Sequence, residues 1–132
     1  MPIHGDGQSA RAFVFAEDAA EALDMIFHRG EEGETYNISS NSQLRVREVA
    51  EKIFGVMYRH CDQDIEEWIA SVPDRLFNDS MYWTDDSKLR ALGWVQKTSF
   101  DDALEATVEW FCREGDGFWP DLRGMPCQSN SM

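Results

Sequence analysis

Cations are scarce in this sequence, so its arginines are the first residues to weigh as chemistry. Asp and Glu number 25 against 12 Lys and Arg, a formal charge of −13. Arg11 is the one cation in a segment that also carries Asp6, Glu17 and Asp18. Residue type alone leaves it equally readable as a surface salt-bridge partner. Arg75 lies in a second charged stretch, Asp74-Arg75-Leu76-Phe77-Asn78-Asp79, where Asn78 adds an amide that both donates and accepts.

Other side chains offer less. Glu17-Asp18, Asp85-Asp86 and Asp101-Asp102 are carboxylates paired in sequence, and each reads better as the start of a helix than as an acid/base pair. Neither Tyr58 nor Tyr82 has a lysine four residues on. His4, His28 and His60 are scattered, which argues against a metal site. Cys61, Cys112 and Cys127 are odd in number and lack CxxC spacing, so neither a disulfide framework nor a zinc site is expected. No residue is assigned to catalysis, to a cofactor or to a metal.

Composition sets the frame. A chain of 132 residues with 42% hydrophobic and 28% charged residues is one globular domain or a piece of one. Its negative charge argues against nucleic acid and against an anionic membrane surface as partners. The N-terminus lacks the basic start and apolar core of a signal peptide, and no apolar run is long enough to span a bilayer. Cytoplasm is the default location.

The elements that must position these residues follow from pattern and punctuation. Residues 1–9 read as a loop, with Gly5-Asp6-Gly7 as a turn that Asp6 closes locally. Residues 13–16 form a short apolar run of strand type. Asp18 is placed to cap a helix starting at Ala19, with an apolar stripe through Phe27 and Gly30 at its end. Residues 35–38 are a second β-type run. A helix is expected over 45–60, with a weak point at Gly55, then a short one over 63–70 that ends before Pro73. Residues 82–84 read as a strand. Asp85 or Asp86 can cap a short helix through Leu92, ended by Gly93. Ser99 is the N-cap of the last helix, whose first turn holds Asp101 and Asp102. Residues 120–132 are expected to form a disordered tail.

Five stretches in order carry a resemblance. They are Gly5-Asp6-Gly7 with Arg11 and the run Phe-Val-Phe-Ala-Glu-Asp to residue 18; Gly33-Glu-Thr-Tyr-Asn-Ile-Ser39; Asp74-Arg-Leu-Phe-Asn-Asp79; Asp85-Asp-Ser-Lys-Leu-Arg-Ala-Leu-Gly-Trp94; and Glu105-Ala-Thr-Val-Glu-Trp-Phe111. Together they resemble the C-terminal, sugar-nucleotide-binding part of the nucleotide-sugar 4,6-dehydratases, which are extended short-chain dehydrogenases. The UDP-glucose branch of rhamnose synthesis is the most similar. The likeness spans residues 2–119.

The resemblance implies an α/β fold of helices with a few short strands, without the Rossmann half that holds NAD. It implies a UDP- or dTDP-glucose partner, with Arg11, Arg75 and Asn78 at nucleotide-contacting positions. NAD belongs to the intact family and is not expected on this chain alone. An N-terminal cofactor domain or a second copy of the chain would be a further partner. The family pattern Arg-Pro-x-Asn/His-Asp-x-Arg-Tyr is kept at Arg75, Asn78, Asp79 and Tyr82. It is broken at Leu76, which replaces the proline, and at Met81, which replaces the second arginine. Losing the proline loosens the loop, and Met81 makes no charge-assisted hydrogen bond. No Gly-rich dinucleotide turn and no Tyr-x-x-x-Lys pair is found. The expectation is therefore a partial dehydratase that binds substrate. The alternative is a non-catalytic interaction or regulatory module derived from the same fold. If the chain is such a fragment, Phe13, Phe15, Tyr36 and Ile38 should not all be deeply buried.

Overall fold

The computed structural model describes residues 1–40, 43–59, 64–77, 79–82 and 84–118. In chain order the elements are β1 (Pro2–His4), β2 (Ala10–Ala12), α1 (Ala16–Arg29), β3 (Gln43–Arg45), α2 (Val46–Met57), a 3₁₀ turn (Ile65–Glu67), β4 (Ala70–Val72), α3 (Ser87–Ala91) and α4 (Phe100–Phe118). β1 runs parallel to β4 with Ile3 opposite Ser71. β2 runs antiparallel to β3 with Arg11 opposite Leu44. The result is the partial α/β arrangement of helices and short strands that the sequence predicts.

The core gathers around one tryptophan. Ala22 on α1, Leu89 on α3 and Trp94 are almost wholly buried, and Val14, Met25, Ile26, Tyr36, Ile38 and Leu92 pack against them. The Trp94 indole Nε1 donates to the Asp18 carbonyl at 3.1 Å. The Asp18 carboxylate, only 3% exposed, accepts from the backbone N–H of Lys97 at 3.3 Å and of Thr98 at 3.0 Å. This corrects the expected role of Asp18. α1 begins at Ala16, not Ala19, and no side chain caps it. Asp18 lies inside the first turn, where the helix dipole favours an anion, and it binds the 97–98 loop instead.

Several short elements differ from expectation. Residues 1–9 contain a strand, because Ile3 is buried beside β4. Three residues are too few for alternation to show in sequence. The first antiparallel strand lies at Ala10–Ala12 and not at 13–16. The apolar run after it turns toward the helices, with Phe13 edge-on to Phe100 at a centroid distance of 5.3 Å. Residues 35–38 form no strand and are tied by side chains. The Tyr36 hydroxyl accepts from the Glu31 N–H at 2.9 Å, and the Asn37 amide donates to the Asp85 carbonyl at 3.0 Å. In place of a helix over 63–70 stand the 3₁₀ turn, capped by Asp64 accepting from the Glu66 N–H at 3.0 Å, and then β4. The expected strand at 82–84 is absent at Tyr82 and Thr84, and Trp83 lies outside the described residues.

The longer helices match their patterns. α2 runs through Gly55 unbroken, and Phe54, Tyr58 and Trp68 stack together with centroids 4.8–6.2 Å apart, which seats the 3₁₀ turn on α2. The Ser99 hydroxyl accepts from the Asp102 N–H at 3.2 Å, the predicted cap of α4. α4 packs along α2, with Lys52 paired to Asp101 at 2.6 Å and Arg59 to Glu105. It continues to Phe118. Residues 120–132 lie outside the described residues. Cys112 on α4 is disulfide-bonded, against the expectation drawn from cysteine count and spacing. Among the described residues no helix is long and apolar enough to cross a membrane.

Phe13 is 37% exposed, and Phe15, Tyr36 and Ile38 are half-buried. None of the four is deeply buried, as expected.

Replacing Asp18 by alanine removes the acceptor of two part-buried N–H groups. Its stability should fall by about 2–4 kcal/mol, read as a lower urea midpoint at unchanged m-value. An unaltered midpoint would mean that the 97–98 loop is held by packing alone.

Candidate functional site

The turn after β1 sets one wall. Gly5 and Gly7 have φ of 65° and 72°, a conformation that side chains with a Cβ rarely adopt. The Gln8 N–H donates to Asp6 Oδ1 at 2.9 Å, the predicted local closure. A Cβ on Gly5 would sit 2.9 Å from the Asp74 carboxylate, and one on Gly7 would sit 3.1 Å from the Arg47 side chain. These glycines therefore allow the turn to pack against its own chain. They do not open a cradle for a dinucleotide, since β2 follows the turn where a fingerprint needs a helix, and a carboxylate fills the space above Gly5.

β2 carries Arg11 into contact with the second charged stretch. The Ala10 N–H donates to the Ser80 carbonyl at 2.8 Å, and Ala10 forms a parallel bridge with Met81. That register puts Arg11 next to Tyr82. The guanidinium carbon lies 4.6 Å from the centre of the Tyr82 ring, and one of its nitrogens donates to the Ala10 carbonyl at 2.7 Å. Arg75 is exposed in the loop after β4, with its backbone N–H bonded to Asp74 Oδ1 at 2.8 Å.

Tyr82 reports on both arginines. A hydrogen bond to the Asp79 carboxylate, reinforced by its charge, pushes the Tyr82 hydroxyl above the usual tyrosine range, while Arg11 and Arg75 both pull it down. Both cations therefore lie within electrostatic reach of one phenol. Asn78, the third expected ligand, lies outside the described residues. Around the arginines Leu76 and Phe77 are 96% and 97% exposed, and Met81 is also largely open.

The remaining candidates serve the fold. Asp85 accepts from the Ser87 N–H at 2.9 Å, and Asp86 takes both Nε and one terminal nitrogen of Arg90, at 2.7 and 2.9 Å. That fork holds the Asp86 carboxyl below its ordinary range. Arg45, the last residue of β3, pairs with Glu48, and Arg47 in the first turn of α2 pairs with Glu51 and Glu66. Among the described residues no group of three or more His, Cys, Asp or Glu is arranged to hold a metal. A cavity of about 310 Å³ opens between residues 13–16, α2 and α4, but no charged side chain lines it, so it is not a phosphate site.

Comparison with known proteins fixes the lineage. The family model for GDP-mannose 4,6 dehydratase matches residues 1–107. The chain belongs to this family. A trifunctional UDP-glucose 4,6-dehydratase/UDP-4-keto-6-deoxy-D-glucose 3,5-epimerase/UDP-4-keto-L-rhamnose-reductase of Arabidopsis thaliana is 39% identical over 94% of this chain and 18% of its own length. The human dTDP-D-glucose 4,6-dehydratase is 31% identical over 91% of this chain and 34% of its own. Among solved structures, the dTDP-glucose 4,6-dehydratase DesIV of Streptomyces venezuelae, crystallised with NAD, superposes with a TM-score of 0.80 at 31% identity. It covers 93% of this chain and 37% of that one. The Bacillus anthracis dTDP-glucose 4,6-dehydratase, also with NAD, gives 0.76 at 29% identity, with 92% and 37% covered. The fold is thus that of a nucleotide-sugar dehydratase of the extended short-chain dehydrogenase type. The chain spans between 18% and 37% of the length of these relatives.

Tyr82 supplies a titration test of this site. Its folded-state pKa is raised, so the Asp79–Tyr82 contact contributes stability below the ordinary tyrosine value of about 10 and loses it as pH rises through the folded value. Tyrosinate absorbance should show one tyrosine ionising above that value, and Asp79→Asn should bring it back down. A titration indifferent to Asp79→Asn would dissociate the two side chains.

Proposed function

We propose that this chain is the nucleotide-sugar-binding part of an NDP-glucose 4,6-dehydratase, with UDP- or dTDP-glucose as ligand and Arg11, Arg75 and Asn78 as its polar contacts. Residues 1–119 form the binding portion. What supports the reading is that the Ala10–Met81 bridge joins the strand bearing Arg11 to the segment that follows Arg75, with the Arg11 guanidinium carbon 4.6 Å from the Tyr82 ring centre. Family membership supports the substrate class, because the relatives are named for action on UDP- and dTDP-glucose.

The reaction that such a dehydratase performs begins and ends with hydride transfer, which NAD supplies where it is bound. The glycines at 5 and 7 do not fit that cofactor, and the sequence has no Tyr-x-x-x-Lys pair. On this reading the chain orients the diphosphate and leaves cofactor and acid/base chemistry to an N-terminal cofactor half or a partner copy, in the cytoplasm. Leu76 and Phe77 favour a second reading, an interaction module, since both large apolar side chains stand almost fully in solvent.

Calorimetry with UDP-glucose separates the two. A charge-assisted hydrogen bond contributes about 1.5–3 kcal/mol, so Arg11→Ala or Arg75→Ala should weaken binding about ten- to a hundredfold. Arg47→Ala should leave the affinity unchanged, because Arg47 is committed to Glu51 and Glu66. Absence of saturable binding in the folded chain would favour the interaction module.

The chain alone should also bind no NAD and form no 4-keto-6-deoxy sugar from UDP-glucose. NAD retained through gel filtration, or product above background, would overturn this division of labour.

A further inference from the structure

We infer that an exposed apolar stripe on α1 is the contact surface of a two-fold dimer, in which a second copy of the chain lays its own α1 antiparallel against it. α1 already gives one face to the core. Ala22 is buried there with Leu89 and Trp94, and Met25 and Ile26 pack against that cluster. A second apolar row of the same helix stays in solvent. Ala16, Ala20, Leu23 and Phe27 are all exposed, Leu23 by 61% and Phe27 by 84%. Their steps of four, three and four residues place them within an arc of about 60° on the helix surface. That is the spacing with which one helix seats another, and a continuous apolar row of this kind on a surface marks an interaction site.

Side-chain size and charge both select a second copy in the antiparallel orientation. The stripe is small at its N-terminal end, with Ala16 and Ala20, and large at its C-terminal end, with Leu23 and Phe27. Antiparallel helices set Ala16 against Phe27 of the second copy and Ala20 against its Leu23, so each large side chain fills the space a small one leaves. Parallel helices would set Phe27 against Phe27 and alanine against alanine, with crowding at one end and a gap at the other. The first turn of α1 carries the exposed acid Glu17, and the last turn carries the exposed bases His28 and Arg29. An antiparallel pair therefore brings an acidic end to a basic end and aligns the two helix dipoles favourably. Between the ends, Glu21 is already paired with Lys97 at 2.6 Å, and Asp24 lies 3.4 Å from His28 Nδ1. A two-fold contact of this sort uses the same surface on both copies and closes at two.

The test is sedimentation equilibrium of the 132-residue chain in ~0.15 M salt, where repulsion between copies beyond about 8 Å is screened. One pair of 14-residue helices is a small interface, so the dimer should dissociate with a constant on the order of 10–100 µM. Phe27→Glu should make the chain monomeric with an unchanged circular dichroism spectrum, because Phe27 takes no part in the core. Leu23→Ala should weaken the dimer about tenfold or more, since the lost contact occurs twice. Phe77→Ser, which alters an exposed apolar side chain outside α1, should leave the dimer intact. Oxidising an equimolar mixture of Ala20→Cys and Leu23→Cys chains should link position 20 of one copy to position 23 of the other, read by mass spectrometry of the joined peptides. A chain still monomeric at about 1 mM, or a dimer that survives both Phe27→Glu and Leu23→Ala, overturns the proposal. Links of 20 to 20 and 23 to 23 in place of the mixed one overturn the antiparallel arrangement.

Discussion

The fold depends on one buried carboxylate. Asp18 is 3% exposed, and three groups from the far side of the molecule meet at this residue. The Lys97 and Thr98 N–H groups bond its side chain, and the Trp94 indole bonds its carbonyl. A buried charge is tolerable only when hydrogen bonds replace its water, and here the first turn of α1 adds its dipole. Everything downstream is referred to that point. Trp94 fills the space between Ala22 and Leu89, and the 97–98 loop delivers Ser99 to start α4. α4 then lies along α2, which continues directly from β3.

Charge distribution separates scaffold from site. Most described cations are spent locally, as in Lys52 with Asp101, Lys88 with Glu34 and Lys97 with Glu21. Exposed pairs of this sort add little stability, but they settle where the positive charge goes. At β2 a cation also meets an aromatic ring, with the Arg11 guanidinium carbon 4.6 Å from the centre of the Tyr82 ring.

The parts legible in the sequence were those encoded over short distances. The stripes of α1, α2 and α4, the stop at Gly30 and the cap at Ser99 all depend on neighbours within one or two turns. The three-residue strands were not legible, because their partners lie far along the chain and too few residues exist to show a period. Asp18 was read as a cap for the same reason: a carboxylate before an apolar stripe has a local explanation, and its real partners are about eighty residues away. In the site, Arg11 and Arg75 could be singled out by residue type and by resemblance. The contact of Tyr82 with Arg11 could not, since it depends on the Ala10–Met81 bridge; in sequence the tyrosine stood only as a retained position of the family pattern.

β3 ends at Arg45 and α2 begins at Val46, with no residue between them to act as a joint. β3 is hydrogen-bonded to β2, so the strand bearing Arg11 is rigidly geared to the helix. A rotation of α2 about its seat on α4 would therefore carry β3 with it, and β2 through the hydrogen bonds the two strands share.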